Sequence, residues 1–237
     1  MPTIRLENVT KTYRGENAIS NVNLTIEQGE FVFLIGSRGA GKSTLLNVLS
    51  GEKRPSAGTV WLDDDPVGPL NLLRRARLRE LTGRVDQRST LSMSKTVGAN
   101  LRPKGLFARI EDRFDPDPLK GKALGLVGMG GTEKKKVKEL SAPDRHRVEI
   151  AKAIVTSPAI LILDEITDKM DDDTIWDILH LLSELNAHGT TVIMVTNAGR
   201  FINIMRKRVI TLADGKIVGD VRNGRYDTLG RRGVIRK

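Results

Sequence analysis

The sequence predicts a layered α/β fold, and two patterns of apolar residues indicate it. Short runs that are apolar throughout, such as FVFLIG at 31–36 and AILIL at 159–163, are typical of parallel strands buried on both faces. Segments that alternate polar and apolar residues, such as IRLENV at 4–9 and NVNLTI at 21–26, are typical of antiparallel strands with one solvated face. Apolar residues spaced three and four apart predict helices between the strands.

The same patterns predict the remaining elements. Further strands are expected at 30–36, 58–63, 159–165, 190–196, 208–214 and 216–221, and helices at 42–51, 74–81, 148–155 and 174–189. Asp214 and Gly215 separate the last two strands and predict a two-residue hairpin turn, because such a turn needs positive φ at both positions. Gly189 is placed to end its helix. Residues 101–139 contain RPKG, DPDP, GMGG and KKKVK, so we expect short, interrupted helices inserted between two halves of the core.

Composition excludes several classes of function. With 237 residues, 39% of them hydrophobic, the chain is long enough for one large core or a core plus a small subdomain. It has no cysteine, which excludes disulfides, zinc-thiolate sites and thiol catalysis, so a cytosolic location fits best. No window approaches the roughly 18 uncharged apolar residues of a membrane-spanning helix, and the N-terminus lacks the features of a signal peptide.

The net charge is +10, and basic residues cluster in RKR at 206–208 and in the tail at 222–237. This excess of positive charge raises nucleic acid, anionic lipid and an acidic protein as possible contacts. A basic surface that only keeps the protein soluble is an equally good explanation.

The segment GSRGAGKST at 36–44 matches the phosphate-loop pattern GxxxxGKS/T. It follows an apolar strand and leads into the helical run TLLNVL, so glycines can turn backbone N–H groups toward a phosphate while the helix N-terminus adds its dipole. We expect Lys42 to reach the β- and γ-phosphates of a nucleotide and Ser43 to bind Mg²⁺. The predicted phosphate-binding residues are Gly36, Ser37, Arg38, Gly39, Ala40, Gly41, Lys42, Ser43 and Thr44.

The strand AILILDE at 159–165 ends in two carboxylates. Asp164 is placed to hold Mg²⁺ through water, and Glu165 is the candidate that orients or deprotonates an attacking water. Two acids after a strand can also be no more than a helix cap. A phosphate loop in the same chain favours the catalytic interpretation, because phosphoryl transfer needs a metal carboxylate.

With these motifs the chain resembles the ATP-binding-cassette (ABC) superfamily along nearly its whole length. The phrases GEFVFLIG, GAGKSTLLNVLSGEKRPSAGTVW and RVITLADGKIVGDVRNGRYDTLG look most like the bacterial cell-division ATPase family FtsE, whose members act with an integral membrane partner, FtsX. The lipoprotein-release and macrolide-export ATPases are close cousins. The resemblance implies a P-loop NTPase core with an antiparallel β subdomain and an inserted helical subdomain, and a homodimer that sandwiches ATP and Mg²⁺.

The resemblance also assigns roles to residues outside the phosphate loop. Tyr13 matches the aromatic residue that stacks on adenine, and Asp171 matches the loop that crosses to the opposing subunit. Gln87 matches the glutamine that senses the γ-phosphate, takes part in Mg²⁺ binding and couples to the membrane partner. The implied division of the chain is a nucleotide-binding core at 1–88 and 158–221, a helical signature subdomain at 89–157 and a basic tail at 222–237.

The signature motif departs from the family pattern, with LSAPDRHR at 140–147 in place of LSGGEQQR. In the family, signature N–H groups of one protomer close on the γ-phosphate held by the other. Pro143 has no N–H and should push Ala142 toward extended backbone angles, so at least one phosphate hydrogen bond is lost. Ser141 is retained as a helix N-cap that can still bind nucleotide. A capped helix with no phosphate contact is the alternative.

Two further departures lie near the nucleotide. Asn197 occupies the position of the family's switch histidine; as a catalytic candidate its amide can still donate to a γ-phosphate, but it cannot carry the positive charge of an imidazolium. EITDKMD at 165–171 replaces EPTGNLD, and Lys169 adds a charge near the dimer seam. Because each lost donor typically lowers the rate about 10²- to 10³-fold, we expect a slow or partner-dependent ATPase.

The leading functional hypothesis is an ATPase subunit on the cytoplasmic face of the plasma membrane, acting with an FtsX-like permease in cell division. Gln87 and the segment 88–139 would pass the movement to that partner, with Leu101, Leu106 and Phe107 as contacts, unless these three only pack a small core. The alternatives are a lipoprotein-release or macrolide-export ATPase, a scaffold that never hydrolyses ATP, and a nucleic-acid-binding module. The last is less expected, since only 4% of residues are aromatic and no nucleic-acid motif is present.

Overall fold

The computed structural model describes residues 2–67, 72–102, 117–167 and 170–226. The strands are β1 (Ile4–Tyr13), β2 (Glu16–Ile26), β3 (Phe31–Ile35), β4 (Ala57–Leu62), β5 (Asp65–Pro66), β6 (Thr82–Val85), β7 (Ile160–Asp164), β8 (Thr191–Val195), β9 (Arg208–Ala213) and β10 (Lys216–Val221). The helices are α1 (Lys42–Leu49), α2 (Leu72–Glu80), α3 (Val97–Asn100), α4 (Asp117–Leu126), α5 (Ala142–Ile154), α6 (Asp172–Ala187) and α7 (Gly199–Met205), with a 3₁₀ turn at Val137–Glu139.

The larger sheet is mostly parallel, as the all-apolar runs predict. Its six strands lie in the order β10-β9-β3-β8-β7-β6, and only β10 runs antiparallel to its neighbour. Every residue of β3, β7 and β8 is buried, as expected for strands covered on both faces. The hairpin between β9 and β10 has φ of 45° at Asp214 and 73° at Gly215, which confirms the predicted turn.

The smaller sheet is antiparallel, in the order β2-β1-β4-β5. Along the first residues of β1, buried Ile4 and Leu6 alternate with partly exposed neighbours, which is the predicted pattern of one buried and one solvated face. The two sheets and the helices therefore form the α/β fold expected from the sequence.

The core lies on both faces of the larger sheet. Phe31, Phe33 and Ile35 of β3 belong to one hydrophobic cluster, together with residues of α3 to α6. Val32 and Leu34 point to the other face, where α1 and the antiparallel sheet pack. Because β3 and β7 are both parallel to β8, their carboxyl ends lie at one edge of the sheet, and this edge carries the phosphate loop and the two carboxylates.

Strand β6 is not evident in the sequence. It is the short segment TGRV, and its pairing partner β7 lies more than 70 residues further on, at Ile160–Asp164. Gly83 is required there for space, because a Cβ atom would lie 2.2 Å from the carbonyl oxygen of Ala153. The position of strand β6 is therefore set by tertiary packing rather than by local β propensity.

The predicted helices are confirmed with shifted ends. Helix α6 ends at Ala187, and Gly189 follows with φ of 100°, as expected for a glycine after a helix end. In the inserted region, α3 has four residues and α4 has ten, which agrees with short, interrupted helices. Residues 103–116, which include Leu106 and Phe107, lie outside the described residues. Within the part of the chain that is described, no helix is both long enough and apolar enough to cross a membrane.

Candidate nucleotide-binding site

The phosphate loop connects β3 to α1, and its glycines are needed for both conformation and space. Gly36, Gly39 and Gly41 have φ of 153°, 83° and 100°. A Cβ atom would lie 2.2 Å from the carbonyl oxygen of Leu212 at Gly36, and 2.3 Å from that of Ala18 at Gly41. Gly41 is also the N-cap of α1 and offers no side-chain cap, so the first N–H groups of the helix are left to bind a ligand.

Lys42 is held at the mouth of this loop. Its side chain is 6% exposed, and its Nζ donates to the carbonyl oxygens of Gly36 at 2.7 Å and Ser37 at 3.0 Å. The same Nζ lies 3.3 Å from Oε1 of Glu165. The charge is therefore directed to the place where the loop would receive a phosphate.

A cleft of about 560 Å³ lies in front of the loop. It is lined by Ala18, Arg38, Gly39, Gly41, Lys42, Ser43, Thr44, Gln87, Glu165 and Asn197. The sequence predicts all of these residues except Ala18, and they come from β2, the phosphate loop with the start of α1, and the segments that follow β6, β7 and β8. The fold therefore brings Gln87, Glu165 and Asn197 to the phosphate loop.

Asp164 lies buried at the end of β7, 7% exposed. Burial raises the pKa of this carboxyl above its usual range, while a hydrogen bond from Ser43 and the nearby Arg84 guanidinium oppose that rise. The hydroxyl of Ser43 and the carboxylate of Asp164 therefore lie close together, and both supply oxygen ligands of the kind that Mg²⁺ prefers. This pair fits a Mg²⁺ ion that also binds nucleotide phosphates.

Glu165 has a left-handed backbone, with φ of 51°, and its N–H donates to the carbonyl oxygen of Val195 at 3.1 Å. Such a conformation is uncommon for a residue other than glycine and occurs often at active sites. The Glu165 carboxylate accepts a hydrogen bond from Nε2 of Gln87 at 3.1 Å and also faces Lys42. Each carboxylate oxygen of Glu165 therefore has one of these partners and keeps a further position that can accept a hydrogen bond.

The signature segment forms the N-terminus of α5. Ser141 is the N-cap, with φ of −64° and ψ of 164°; its Oγ accepts from the N–H of Asp144 at 3.2 Å and donates to Oδ2 of Asp144 at 2.7 Å. The predicted cap is therefore confirmed. The predicted extended backbone at Ala142 is wrong: the helix begins at Ala142, and Ser141 is the extended residue. Pro143 is tolerated in the first turn, where an N–H has no intrahelical partner.

Tyr13, Ser141 and Asp171 do not line the cleft. Tyr13, at the end of β1, is 40% exposed, with Nζ of Lys11 5.1 Å from the ring centroid. Asp171 is the N-cap of α6 and accepts from N and Oγ1 of Thr174, at 2.8 and 2.9 Å, which lowers the pKa of its carboxyl. Their roles in nucleotide binding therefore stay predictions. Asp168 and Lys169 lie outside the described residues.

The sequence interpretation missed a polar network beneath Asp164. Arg84 of β6 donates to Oδ1 of Asn47 at 2.6 Å and to Oδ1 of Asp86 at 2.5 Å, and it lies 3.8 Å from Oδ2 of Asp164. The available signal was the pair of opposite charges two residues apart in GRVD, which places them on the same side of a strand. Because β6 itself was not predicted, this signal had no structural context.

The phosphate loop, the strand-end carboxylates and the glutamine at the end of β6 define an ATP-binding cassette, a P-loop ATPase. The ABC transporter family model matches residues 19–168, and the chain belongs to this family. Among its curated relatives are the cell division ATP-binding protein FtsE of Mycobacterium tuberculosis, 36% identical over 94% of this chain and 97% of that protein, and FtsE of Escherichia coli K12, 36% identical over 92% and 98%.

Solved structures agree with this assignment. The dimeric post-hydrolysis state of the ATP-binding cassette MJ0796, bound to ADP and Pi, has a TM-score of 0.79 and 30% identity, covering 94% of this chain and all of that chain (100%). The match confirms the predicted P-loop fold, and FtsE relatives covering almost the full chain confirm the predicted resemblance.

Proposed function

We propose that this chain is the ATPase subunit of a membrane complex in bacterial cell division, located on the cytoplasmic face of the plasma membrane. The observation that carries the proposal is the cleft in which Lys42, Gln87 and Glu165 meet at the phosphate loop. The FtsE names of its relatives support cell division over lipoprotein release or macrolide export.

In this proposal the loop N–H groups and Lys42 bind the phosphates of ATP, and Ser43 and Asp164 hold Mg²⁺, with Gln87 nearby. Bound Mg²⁺ would neutralise charge on the β- and γ-phosphate oxygens. Lys42 leaves the carbonyl oxygens of Gly36 and Ser37 for phosphate, which frees one side of the Glu165 carboxylate. Glu165 then orients a water molecule, and Gln87 changes its partner from Glu165 to the γ-phosphate region.

The proposal requires a second copy of the chain. Ser141 is exposed at the N-terminus of α5, and Asp171 is exposed at the N-terminus of α6, so both are available to a partner protomer. The α5 N-terminus can present its dipole and the Ser141 hydroxyl to the ATP bound by the other copy. Pro143 removes one N–H from that contact and Asn197 removes a cation, so turnover is slow.

A groove of about 570 Å³ is the proposed docking place of the FtsX-like membrane partner. It lies between α2, β6 and the C-terminal part of α5, and Asp86 and Thr90 in its lining flank Gln87. Both charges are present there, for example Arg79 and Glu80, which suits a polar partner segment. Leu101 is fully buried and packs in the core, so the alternative of simple packing accounts for it.

The decisive experiment compares the unmodified chain with Glu165→Gln. We expect Glu165→Gln to bind ATP with Mg²⁺ normally, to lose about 10²-fold or more in turnover, and to accumulate an ATP-dependent dimer, because bound ATP is no longer consumed. Nucleotide titration, phosphate release and light scattering measure the three properties. Glu184→Gln, an exposed carboxylate on α6, is the matched control and should leave all three unchanged.

Two outcomes would contradict the proposal. A chain that binds ATP but shows no turnover, and dimerises equally with and without the Glu165 carboxylate, would be a non-hydrolysing scaffold. A chain that binds duplex DNA with a steep salt dependence, and neither dimerises with ATP nor co-purifies with an FtsX-like membrane protein, would be a nucleic-acid-binding module.

A further inference from the structure

Glu149 is a carboxylate buried in the middle of α5. It is 5% exposed and lies between Val148 and Ile150, which are both fully buried. Burial of a carboxylate is unfavourable unless hydrogen bonds or a nearby cation compensate for the lost water. The mechanism proposed above makes no use of Glu149, so its burial calls for another explanation.

The partners of Glu149 all belong to the segment that follows Gln87. Ser89 Oγ donates to Oε1 at 2.6 Å, Thr90 N–H donates to Oε1 at 2.7 Å, and Thr90 Oγ1 donates to Oε2 at 3.2 Å. Almost one helical turn later, Nζ of Lys152 donates to the carbonyl oxygen and to Oγ1 of Thr90, at 2.9 and 2.8 Å. We call these four residues, Ser89, Thr90, Glu149 and Lys152, the Glu149 clamp.

The clamp joins the segment after Gln87, which lies at the cleft, to the helix that begins after Ser141. Ser89 and Thr90 follow Gln87 directly, and Gln87 lies in the cleft, 3.1 Å from Glu165. Glu149 stands on the same helix as Ser141, eight residues further along, which is about 12 Å at a rise of about 1.5 Å per residue. In the proposed dimer, Ser141 would face the nucleotide of the other protomer.

The segment after Gln87 is also tied to the residues that precede α5: Lys138 N–H donates to the carbonyl oxygen of Met93, and Val137 N–H to that of Lys95, both at 3.1 Å. A cavity of about 420 Å³ is lined on one side by Gln87 and Ser89 and on the other by Ala142 and His146. The two segments are therefore not packed against each other near Ser141. Within the described residues, the Glu149 clamp is the hydrogen-bonded connection that side chains of α5 itself make to the segment after Gln87.

We propose that Glu149 is a positioning residue that makes the signature helix α5 follow Gln87, so that γ-phosphate in one site orients Ser141 toward the other site. This inference rests on the proposed function as a nucleotide-driven dimer. It assigns to Glu149 a part in closure of the dimer and none in binding of ATP to the single chain.

The test uses Glu149→Gln in the full chain that also carries Glu165→Gln. The amide keeps the shape of the side chain but has one oxygen fewer to accept hydrogen bonds, so a donor of Ser89 or Thr90 loses its partner on α5. We expect half-maximal dimerisation to need about tenfold more ATP, while ATP affinity of the monomer changes less than about twofold. The matched control is Glu139→Gln, since Glu139 also accepts a backbone N–H, that of Lys136, but is exposed.

A double-mutant cycle with Gln87→Ala separates positioning from a merely structural effect. If Glu149 acts through Gln87, Glu149→Gln has no further effect on dimerisation once Gln87 is alanine. An equal effect in both backgrounds overturns the proposal. Ser89→Ala, which removes the 2.6 Å hydrogen bond from the loop side, should reproduce the dimerisation defect even where Glu149→Gln lowers stability.

Failure of the Glu149 clamp and failure of the proposed function give different experimental results. Dimers that form normally in both Glu149→Gln and Ser89→Ala overturn the clamp alone and leave the proposed function intact. Absence of ATP-dependent dimers in the Glu165→Gln chain overturns the proposed function itself, and with it the role of the clamp.

Discussion

The phosphate loop and the signature segment are both helix N-termini, yet they differ in how well each is built for a phosphate. At the loop, glycines with positive φ, a buried lysine and two carboxylates meet at one sheet edge. At the signature segment, Ser141 caps α5, but its hydroxyl is already hydrogen-bonded to Asp144, and Pro143 has no N–H. The difference teaches that the residues proposed to bind nucleotide within one chain and those proposed to close two chains around it are separate in the sequence, and that the departures at Ala142 and Pro143 fall on the second set.

The largest loss of ATP affinity and turnover is expected for a substitution in the phosphate loop. Lys42→Ala removes the cation that now bonds Gly36 and Ser37, so ATP affinity should fall about 10²-fold and turnover should disappear, because charge-assisted bonds to phosphate are strong. Lys53→Ala, which removes an exposed lysine just after α1, is the control and should change neither property. Nucleotide titration measures the affinity. Equal affinity in both variants would mean that the loop is not the phosphate site.

The second largest effect is expected at the signature segment, where substitutions test whether this segment limits the rate of ATP hydrolysis. The double change Ala142→Gly and Pro143→Gly restores an N–H and backbone freedom at the start of α5, and should raise turnover about tenfold to a hundredfold. Ala142→Gly alone restores no N–H and should leave turnover near that of the unmodified chain. Phosphate release by the three proteins checks this. If the double variant is no faster, the lost N–H is not what limits hydrolysis.

The contrast between the two regions also explains what could be predicted from the sequence. The loop is local: its strand, its glycines, Lys42 and its helix are consecutive, so the motif predicts the geometry that is observed. The network of Arg84 with Asp164 and the clamp at Glu149 join residues about 80 and 60 positions apart. Neither could be predicted from neighbouring residues alone, because the charge pair of Arg84 and Asp86 lies at a strand defined by pairing with β7, and the partners of Glu149 lie on a distant segment.

A smaller effect separates the two interpretations of Ser141. Ser141→Ala loses the cap and should lower the free energy of unfolding by about 1 kcal/mol, whereas Ser141→Asp keeps a capping oxygen but repels the Asp144 carboxylate and should lose a similar amount. If Ser141 also faces ATP across the dimer, Ser141→Asp must still weaken ATP-dependent dimerisation, because its charge repels a phosphate. Chemical denaturation and light scattering measure the two properties. A stable Ser141→Asp protein that dimerises normally would leave Ser141 as a cap only.

The smallest expected effect is a pH dependence of the free energy of unfolding that comes from His146 on helix α5. Partial burial of His146 lowers the pKa of its imidazole; the nearby Arg145 lowers it further, and Glu149 opposes both. Because the folded-state pKa lies below the unfolded value of about 6.5, the unfolded chain binds the proton first as the pH falls. The contribution to stability is therefore complete above about pH 6.5 and is lost as the pH falls through the folded-state pKa. Denaturation of the unmodified chain and of His146→Asn at pH 7.5 and 5.5 should show a smaller loss of stability in the variant. An equal loss in both proteins would place the pH sensitivity outside α5.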